Sequence, residues 1–337
     1  MYPARLLCQN SSRAEGIGNS RSRTGLSLTH DRIAEIDAAT IRQELIDRGL
    51  LDSRGDYQIE SAGTGFNTRV YVVGRSGEEP TLTVRVRRPD DRSVAEVDGL
   101  TDVSNCPGVP RLRLLTHELV VLDYLSGAPR DLDQLEERHF EVLARQLACV
   151  HMTEYPGFTP WPERELRTGT RVDLFRFRTA SLANYECFAD ARAGRAGAEL
   201  PELLTRLEAL DLSAAAWSST TFARLHGDLS RGNLLWDGDE LGLIDWEFSR
   251  VGDPAEDLAY LLTEQPDAIG RLAQLLPLYI AAGGALDVAG RIPAYGLFTA
   301  VDSALWWLDY GKLRARSVSD DVDLRIESAQ RWLALDA

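Results

Sequence analysis

The periodicity of the chain changes once along its length, near Gly127, and this change limits the folds that it can adopt. Before that point, three runs at residues 57–61, 69–73 and 81–87 alternate or concentrate β-branched residues, with glycine- or proline-containing segments between them. After it, apolar residues recur mainly at helical spacing, as in the long amphipathic run 131–151. The sequence therefore predicts an antiparallel β lobe followed by a larger helical lobe.

Four further runs complete the first lobe. Two have helical spacing and two resemble strands, and prolines break the chain before the strand-like pair. The helical runs are residues 37–51 and 92–103, and the strand-like runs are 110–115 and 118–125. In the second lobe a short β-rich passage at residues 225–245 interrupts the helices, which resume at residues 256–281, 295–311 and 321–335.

The 337 residues are enough for two lobes that each bury a core. We predict a flexible tail at residues 1–36, a nucleotide-binding lobe at 37–125 and a catalytic, acceptor-binding lobe at 126–337, with a hinge near 123–127. The tail lacks an apolar region followed by a small-residue cleavage site, so we expect no export and a cytoplasmic protein. No apolar run is long enough to cross a bilayer, so no membrane partner is expected.

The formal net charge is −15, which argues against nucleic-acid and anionic-membrane partners, because phosphate binding depends on basic patches. A cationic small molecule fits this charge better, although an acidic surface also serves solubility alone. The four cysteines, Cys8, Cys106, Cys149 and Cys187, are widely spaced, with no Cys-x-x-Cys pair. We expect free thiols in a reducing compartment, with neither a zinc site nor a disulfide.

The strongest local pattern is HGDLSRGN at residues 226–233, followed twelve residues after Asn233 by Asp245 in IDWE. Phosphoryl transfer needs one group that orients the attacking hydroxyl and oxygen ligands that hold Mg²⁺. Asp228 is the candidate base, and Asn233 and Asp245 are the candidate metal ligands. Two strand-like runs joined by a turn at residues 237–239 would bring Asn233 and Asp245 to one end of a hairpin.

This H-G-D-x-x-x-x-N and I-D-W-E pair resembles the catalytic signature of the aminoglycoside phosphotransferase and choline kinase family. It is also similar to the H-R-D-x-x-x-x-N and D-F-G pair of protein kinases. The resemblance implies an α+β, bilobal protein-kinase-like fold, in which a small antiparallel β N-lobe with one main helix precedes a larger α-rich C-lobe. It further implies a kinase that uses ATP or GTP and Mg²⁺ to phosphorylate a small-molecule hydroxyl.

The family pattern also implies structural roles around this signature. His226 and Asp257 would brace the catalytic loop, and Asp253 would cap a helix or share the bracing. His151 resembles the histidine that ends a helix in the family, and we interpret it as structural. The short interval between Asp245 and Asp253 leaves no room for a regulatory activation segment.

A glycine-rich turn at residues 61–68 lies between two predicted strands, where the family binds nucleotide phosphates. Backbone N–H groups at Gly63, Thr64 and Gly65 would approach the phosphates, because glycine removes the steric barrier to close contact. The alternative is that the segment is only a turn. At the end of the first lobe, residues 119–127 resemble the family hinge, whose backbone near Asp123 and Leu125 would bind the adenine edge.

Protein kinases use a strand lysine for the phosphates, but Lys312 is the only lysine of this chain. Arg85 occupies the comparable position, and its permanent charge and forked donors suit phosphate. Arg87, two residues along the same strand, is the alternative. Glu96 on the following helix is the expected partner acid, with Asp98 as its alternative.

The acceptor is the least constrained part of the prediction. A cluster late in the chain could hold a cation by charge and by cation–π contact: Asp302, Trp306, Trp307, Asp309 and Tyr310. Alternatively, the two tryptophans only pack the terminal helices. We predict an amino-containing acceptor of the aminoglycoside type, with a choline-like amino alcohol, macrolide, sugar or nucleoside as alternatives. A nucleotide-binding pseudokinase scaffold is a further alternative, and the chain is expected to be a monomer or a dimer.

Overall fold

A computed structural model describes residues 36–64, 69–87, 93–160 and 165–335. These residues form an α+β fold with a five-stranded antiparallel sheet and many helices, which confirms the predicted fold class. The chain divides into two compact units, one comprising the residues up to Val94 with Pro110–Leu125, the other comprising Ala95–Val109 with Ser126–Ala337. Within the described ranges, no helix is long and apolar enough to cross a membrane.

The first unit packs one helix against the five-stranded sheet. The helix α1 (Ala38–Asp47) begins where the side chain of Asp37 accepts a hydrogen bond from the backbone N of Thr40 at 2.8 Å. The strands are β1 (Tyr57–Thr64), β2 (Arg69–Arg75), β3 (Pro80–Val86), β4 (Leu112–Leu115) and β5 (Leu119–Asp123). Their order is β1-β2-β3-β5-β4, so the predicted meander holds for β1 to β3, and β4 forms the edge.

Alternation along β3 decides which side chains reach the core. Leu82, Val84 and Val86 are buried, and they pack with Ile41 and Leu45 of α1. Because successive side chains of a strand point to opposite faces, Arg85 lies on the other face of the sheet. Gly63 and Thr64 end β1, and residues 65–68 of the glycine-rich turn, which include Gly65, lie outside the described residues.

The segment that contains most of α2 (Ser93–Asp102) groups with the second unit, whereas the sequence analysis assigned it to the first lobe. Contacts distant in sequence explain the difference. A Cβ on Gly99 would lie 2.3 Å from Oγ of Ser249, so the helix backbone lies directly on that side chain. Asp102 also accepts a hydrogen bond from Nε of Arg224 at 2.8 Å.

A disulfide joins this segment to the second unit, with the Cα atoms of Cys106 and Cys149 5.8 Å apart. The expectation of free thiols was therefore wrong for these two cysteines. Their 43-residue separation hides the pairing in the sequence, and the contact exists because residues 103–109 fold onto the end of a long helix, α3 (Glu137–Val150). Cys187 is a free, buried thiol.

The second unit is mainly helical, as predicted. After α3 its helices are α4 (Arg171–Ser181), α5 (Phe188–Arg192), α6 (Leu200–Glu208), α7 (Pro254–Thr263), α8 (Leu272–Ala281), α9 (Ile292–Arg314) and α10 (Ser319–Leu335). The single helix predicted at residues 256–281 is two helices, α7 and α8, separated by the 3₁₀ turn Pro266–Arg271. Proline cannot donate the helical hydrogen bond, so α7 ends before Pro266.

Two small sheets complete this unit. Their strands are β6 (Ala128–Pro129), β7 (Glu154–Tyr155), β8 (Phe222–Leu225), β9 (Leu234–Asp237), β10 (Glu240–Leu243) and β11 (Arg250–Gly252). The orders are β10-β9-β6 and β11-β8-β7. The predicted hairpin is present as β9 and β10, with Leu234 opposite Leu243 and Gly238 at φ 59° in the turn.

Candidate active site

The β9–β10 hairpin brings two of the predicted site residues together. Asn233 immediately precedes β9, and Asp245 lies two residues after the end of β10. The backbone N of Ile244 donates to the carbonyl O of Asn233 at 3.0 Å, which continues the ladder beyond the two strands. Asn233 and Asp245 therefore lie at the same end of the hairpin, as the sequence predicted.

Asp228 lies in the loop that connects β8 to the hairpin and is only 2% exposed. The hydroxyl of Tyr260 donates to its Oδ1 at 2.8 Å. Its Oδ2 is buried and has no hydrogen-bond partner among the described residues. Burial, together with the negative charge of Asp245, raises the pKa of the Asp228 carboxyl to about 7. Such a carboxylate can accept a proton near neutral pH.

Asn233 is buried at the end of the short 3₁₀ turn Arg231–Asn233. Its Nδ2 donates to the backbone O of Asp228 at 2.9 Å. This bond fixes the loop and sets the orientation of the amide, whose oxygen is the atom that can serve a cation.

Asp245 adopts φ 67° and ψ 65°, in the left-handed region that residues with a side chain rarely occupy. Such a conformation costs on the order of 1–3 kcal/mol and persists only where its surroundings enforce it. Here Ile244 is bound to Asn233, and the indole Nε1 of Trp246 donates to the carbonyl O of Leu243 at 2.9 Å. The backbone on both sides of Asp245 is thus fixed.

The oxygens of Asn233 and Asp245 suit Mg²⁺, which prefers hard oxygen ligands and usually takes only one or two from the protein. The enforced conformation of Asp245 and its position beside Asn233 fit such a site. Within the part of the chain that the structure describes, no group of three or more His, Cys, Asp or Glu side chains could hold a metal ion.

Asp257, on α7, holds the backbone of the loop that carries Asp228. Its carboxylate accepts from the backbone N of His226 at 2.7 Å and of Gly227 at 2.9 Å. Nε2 of His151 lies 3.2 Å from the same carboxylate. Burial alone would raise the pKa of Asp257, but the hydrogen bond from His151 and nearby positive charge outweigh it, so its pKa is lowered. The carboxylate of Asp257 thus binds two backbone amides of the loop, and its role as a brace for catalysis stays a prediction.

His226 connects the loop to the hairpin. Its Nε2 lies 3.0 Å from the carbonyl O of Ile244, which can only accept, so Nε2 carries the proton. The other ring nitrogen, Nδ1, then accepts from the backbone N of Asp228 at 3.3 Å. Complete burial lowers the pKa of His226, which keeps the ring neutral. The ring thus connects the residue before Asp245 to the backbone of Asp228.

Buried arginines anchor α7, and the sequence analysis missed them. Arg291 binds both oxygens of Asp253, at 2.6 and 3.0 Å, while Asp253 caps the helix through the backbone N of Ala255. Arg178 and Arg250 each lie 2.8 Å from Oε1 of Glu256. No local pattern marks these partners, because Arg291 and Arg178 come from distant helical segments. Tyr260 was also missed, although it lies three residues after Asp257 on the same helix.

The residues predicted to bind the nucleotide fall in both units. In the first unit, Arg85 is half-buried and lies between Val70 and Val120 of the neighbouring strands. Arg87 follows the end of β3, and its Nη1 donates to the carbonyl O of Thr116 at 2.7 Å. The guanidinium of Arg87 is thus bound to the segment between β4 and β5, and the phosphate role of Arg85, with Arg87 as its alternative, stays a prediction.

The structure also places the two candidates for the partner acid, Glu96 and Asp98, and the two predicted hinge residues. Glu96 is buried in the second unit, whereas Asp98 is exposed. Burial of a carboxylate requires compensating partners. Glu96 as the partner acid, with Asp98 as its alternative, stays a prediction. In the first unit, the backbone N of Asp123 donates to the carbonyl O of Arg111 at 3.0 Å. Asp123 lies opposite Leu82 of β3, Leu125 follows the end of β5, and their role in binding the base stays a prediction.

The predicted acceptor cluster lies on α9 and has extensive internal contacts. Asp302 accepts from the hydroxyl of Tyr185 at 2.9 Å, and Asp309 accepts from the backbone N of Glu186 and of Cys187, both at 2.8 Å. The rings of Trp306 and Tyr310 stack with centroids 5.1 Å apart. The guanidinium of Arg325 lies 5.8 Å from the ring of Trp307. These contacts favour the packing alternative for the tryptophans, and they give Asp309 a capping role.

Comparisons with known proteins bear on the family of the chain. The model of the phosphotransferase enzyme family, APH, matches residues 58–291, which is more than half of the chain. A relative with 30% identity over 210 residues is viomycin phosphotransferase of Streptomyces vinaceus. That match covers 56% of this chain and 63% of the relative, so it spans less than two thirds of that protein.

Two solved structures have a similar fold. One is choline kinase from Cryptosporidium parvum, with a TM-score of 0.59 and 16% identity over 89% of this chain and 96% of that one. The other is a thermostable mutant of aminoglycoside phosphotransferase APH(4)-Ia in a ternary complex with ADP and hygromycin B, with a TM-score of 0.61 and 16% identity over 88% of this chain and 99% of that one. The sequence resemblance is confirmed: the chain belongs to the APH phosphotransferase enzyme family.

Proposed function

We propose that this protein transfers the γ-phosphate of ATP or GTP to a hydroxyl of a small, amino-containing molecule. The observation that carries the proposal is the environment of Asp228. Its Oδ2 is buried and has no hydrogen-bond partner within the described part of the chain, its pKa is raised to about 7, and the backbone O of Asp228 accepts a hydrogen bond from Nδ2 of Asn233. These are the properties of a base that can accept the proton of a hydroxyl at neutral pH.

In this proposal Asp228 orients the acceptor hydroxyl and receives its proton as the oxygen attacks the γ-phosphorus. Asn233 and Asp245 supply the oxygen ligands for Mg²⁺, which neutralises phosphate charge when it is bound. For the phosphates we propose Arg85 and the backbone N–H groups of Gly63, Thr64 and Gly65, and for the partner acid we propose Glu96. The hinge backbone at Asp123 and Leu125 binds the base.

Two observations support the choice of acceptor class: the net charge of the protein and its membership of the APH family. A formal net charge of −15 favours encounter with a cation over encounter with an anion. An aminoglycoside-like acceptor is our leading choice, and viomycin enters the test because a relative bears its name. Macrolides, choline-like amino alcohols, sugars and nucleosides are the alternatives.

The test is a coupled assay of ADP or GDP release over a panel of these acceptors, with Asp228→Ala beside the wild type. We expect acceptor-dependent turnover that Asp228→Ala lowers by at least ~10³-fold while nucleotide affinity stays within about twofold. Asp245→Ala should instead abolish the Mg²⁺-dependent part of nucleotide binding, measured by calorimetry. Nucleotide binding without turnover of any acceptor would contradict the proposal and favour a pseudokinase scaffold.

A further inference from the structure

The two carboxylate oxygens of Asp228 have different surroundings. Oδ1 accepts a hydrogen bond of 2.8 Å from the hydroxyl of Tyr260, whereas Oδ2 has no hydrogen-bond partner among the described residues. Tyr260 is 6% exposed and lies on α7, 32 residues from Asp228. It is not part of the signature that identified the catalytic loop. The asymmetry therefore comes from a residue with no assigned role.

This hydrogen bond restricts the rotation of the carboxylate. The terminal torsion of an aspartate is broad and two-fold, so an unrestrained carboxylate can present either oxygen. A hydrogen bond to a buried, charged acceptor is stronger than one between neutral groups. The contact with Tyr260 thus distinguishes the two oxygens, and the oxygen without a partner is Oδ2.

The same helix fixes both the backbone and the side chain of the loop. Asp257 accepts from the backbone N of His226 and of Gly227, the two residues before Asp228. Tyr260 lies three residues later, on the same face of α7, because residues three apart are neighbours on a helix. The helix that holds the loop backbone therefore also holds the carboxylate of Asp228.

We propose that Tyr260 is a positioning residue for phosphoryl transfer, which holds Oδ1 of Asp228 so that Oδ2 is the oxygen presented to the acceptor hydroxyl. This inference rests on the proposed function. In that reaction the hydroxyl proton passes to Oδ2 while the acceptor oxygen forms a bond to the γ-phosphorus. The bond from that phosphorus to the bridging oxygen breaks, and the nucleoside diphosphate leaves. Tyr260 keeps its proton throughout.

The test compares Tyr260→Phe with Tyr295→Phe. Both changes remove one hydroxyl from a buried tyrosine, but that of Tyr295, on α9, has no hydrogen-bond partner among the described residues. For Tyr260→Phe we expect kcat to fall by roughly 10–100-fold while both KM values and the nucleotide Kd stay within about twofold. Tyr295→Phe should leave kcat within about twofold. A kcat within about twofold for folded Tyr260→Phe, or a change confined to KM, would overturn the inference.

A second comparison separates positioning from general stabilisation. In an Asp228→Asn background, single-turnover rates should not fall further when Tyr260→Phe is added, because no base remains to be oriented. A further decrease of about tenfold in that background would show that Tyr260 acts through the fold, and would refute the inference. Normal turnover in Tyr260→Phe beside an inactive Asp228→Ala would contradict this inference alone. Absence of turnover in the wild type would overturn the proposed function as well.

Discussion

The buried position of Asp228 favours its neutral form, whereas the proposed reaction needs its ionised form. Its carboxyl is buried beside the charge of Asp245, which raises its pKa, yet the proposed reaction needs it ionised. The hydroxyl of Tyr260 offsets part of this cost by donating to Oδ1. Perturbed pKa values are frequent at functional sites, and the raised pKa of Asp228 therefore supports the proposed function.

The raised pKa predicts a pH dependence of activity. Because the base must be ionised, kcat/KM should fall tenfold per pH unit below an apparent pKa of about 7, set by the burial of Asp228. The measurement is a pH–rate profile at saturating Mg²⁺. Asp228→Asn serves as the control, since its residual rate should show no such limb. A wild-type rate that stays flat between pH 5 and 8 would contradict the prediction.

The raised pKa of Asp228 also predicts that replacing its carboxyl with an amide stabilises the folded protein. The folded-state pKa of about 7 lies above the ordinary value of 3.8, so the folded state binds the proton of Asp228 more tightly than the unfolded state does. The stability that this protonation gives is fully present below pH 3.8 and is lost as the pH rises through about 7. At pH 8 Asp228→Asn should therefore raise Tm by roughly 2 °C or more, with a smaller gain at pH 5. Calorimetry at the two pH values checks this, and an equal shift at both would exclude titration as the cause.

At the scale of elements, α7 is the support of the catalytic loop. Arg291 fixes its first turn through Asp253, Arg178 and Arg250 bind Glu256, and Asp257 binds two loop amides. Every residue of this helix is buried, which is unusual for a helix that carries two carboxylates, Glu256 and Asp257. The ion pairs allow that burial, since an uncompensated buried charge is strongly destabilising.

Asp257→Asn tests this support. The amide keeps one acceptor oxygen, so one of the buried N–H groups of His226 and Gly227 loses its partner, at a cost of about 1–3 kcal/mol. We expect a lower Tm together with a decrease in kcat of at least ~10-fold, because the loop backbone is no longer fixed. The matched control is Asp267→Asn, since the carboxylate of Asp267 is 83% exposed. This control should change neither Tm nor kcat. An unaltered Tm for Asp257→Asn would argue against the brace.

At the scale of the whole molecule, the two units are built differently. The first has one helix on an antiparallel sheet, and the second buries most of its core between helices. The segment after β3 illustrates the division, since Gly99, Asp102 and Cys106 all contact residues of the second unit. The disulfide between Cys106 and Cys149 fixes this segment to α3 covalently.

Reduction of the disulfide should destabilise the second unit. Removal of a link across 43 residues is expected to lower the free energy of unfolding by ~2–4 kcal/mol. Thermal unfolding with and without a reductant measures this change. The double variant Cys106→Ala, Cys149→Ala should match the reduced wild type, and a reductant should not affect it further. Identical curves for oxidised and reduced wild type would show that the bond does not form in solution.

The sequence predicted the features that depend on neighbouring residues. The alternation of side-chain types predicted β1 to β5, and the helical spacing of apolar residues predicted α1, α2, α3, α9 and α10. The turn at Gly238 predicted the β9–β10 hairpin. The hairpin explains why Asn233 and Asp245 could be paired in advance, because strand register is a local property. The split between α7 and α8 was missed, although Pro266 marks it.

Other features depend on contacts that no local pattern records, and only the tertiary structure decided them. Tyr260 is 32 residues from Asp228, Arg291 is 38 from Asp253, and Cys106 is 43 from Cys149. Each pair forms because separate elements pack together and bury polar groups that must then find partners. The sequence by itself determined the fold class and the position of Asn233 and Asp245 at one end of the hairpin, whereas packing decided which side chains hold Asp228 and which arginines support α7.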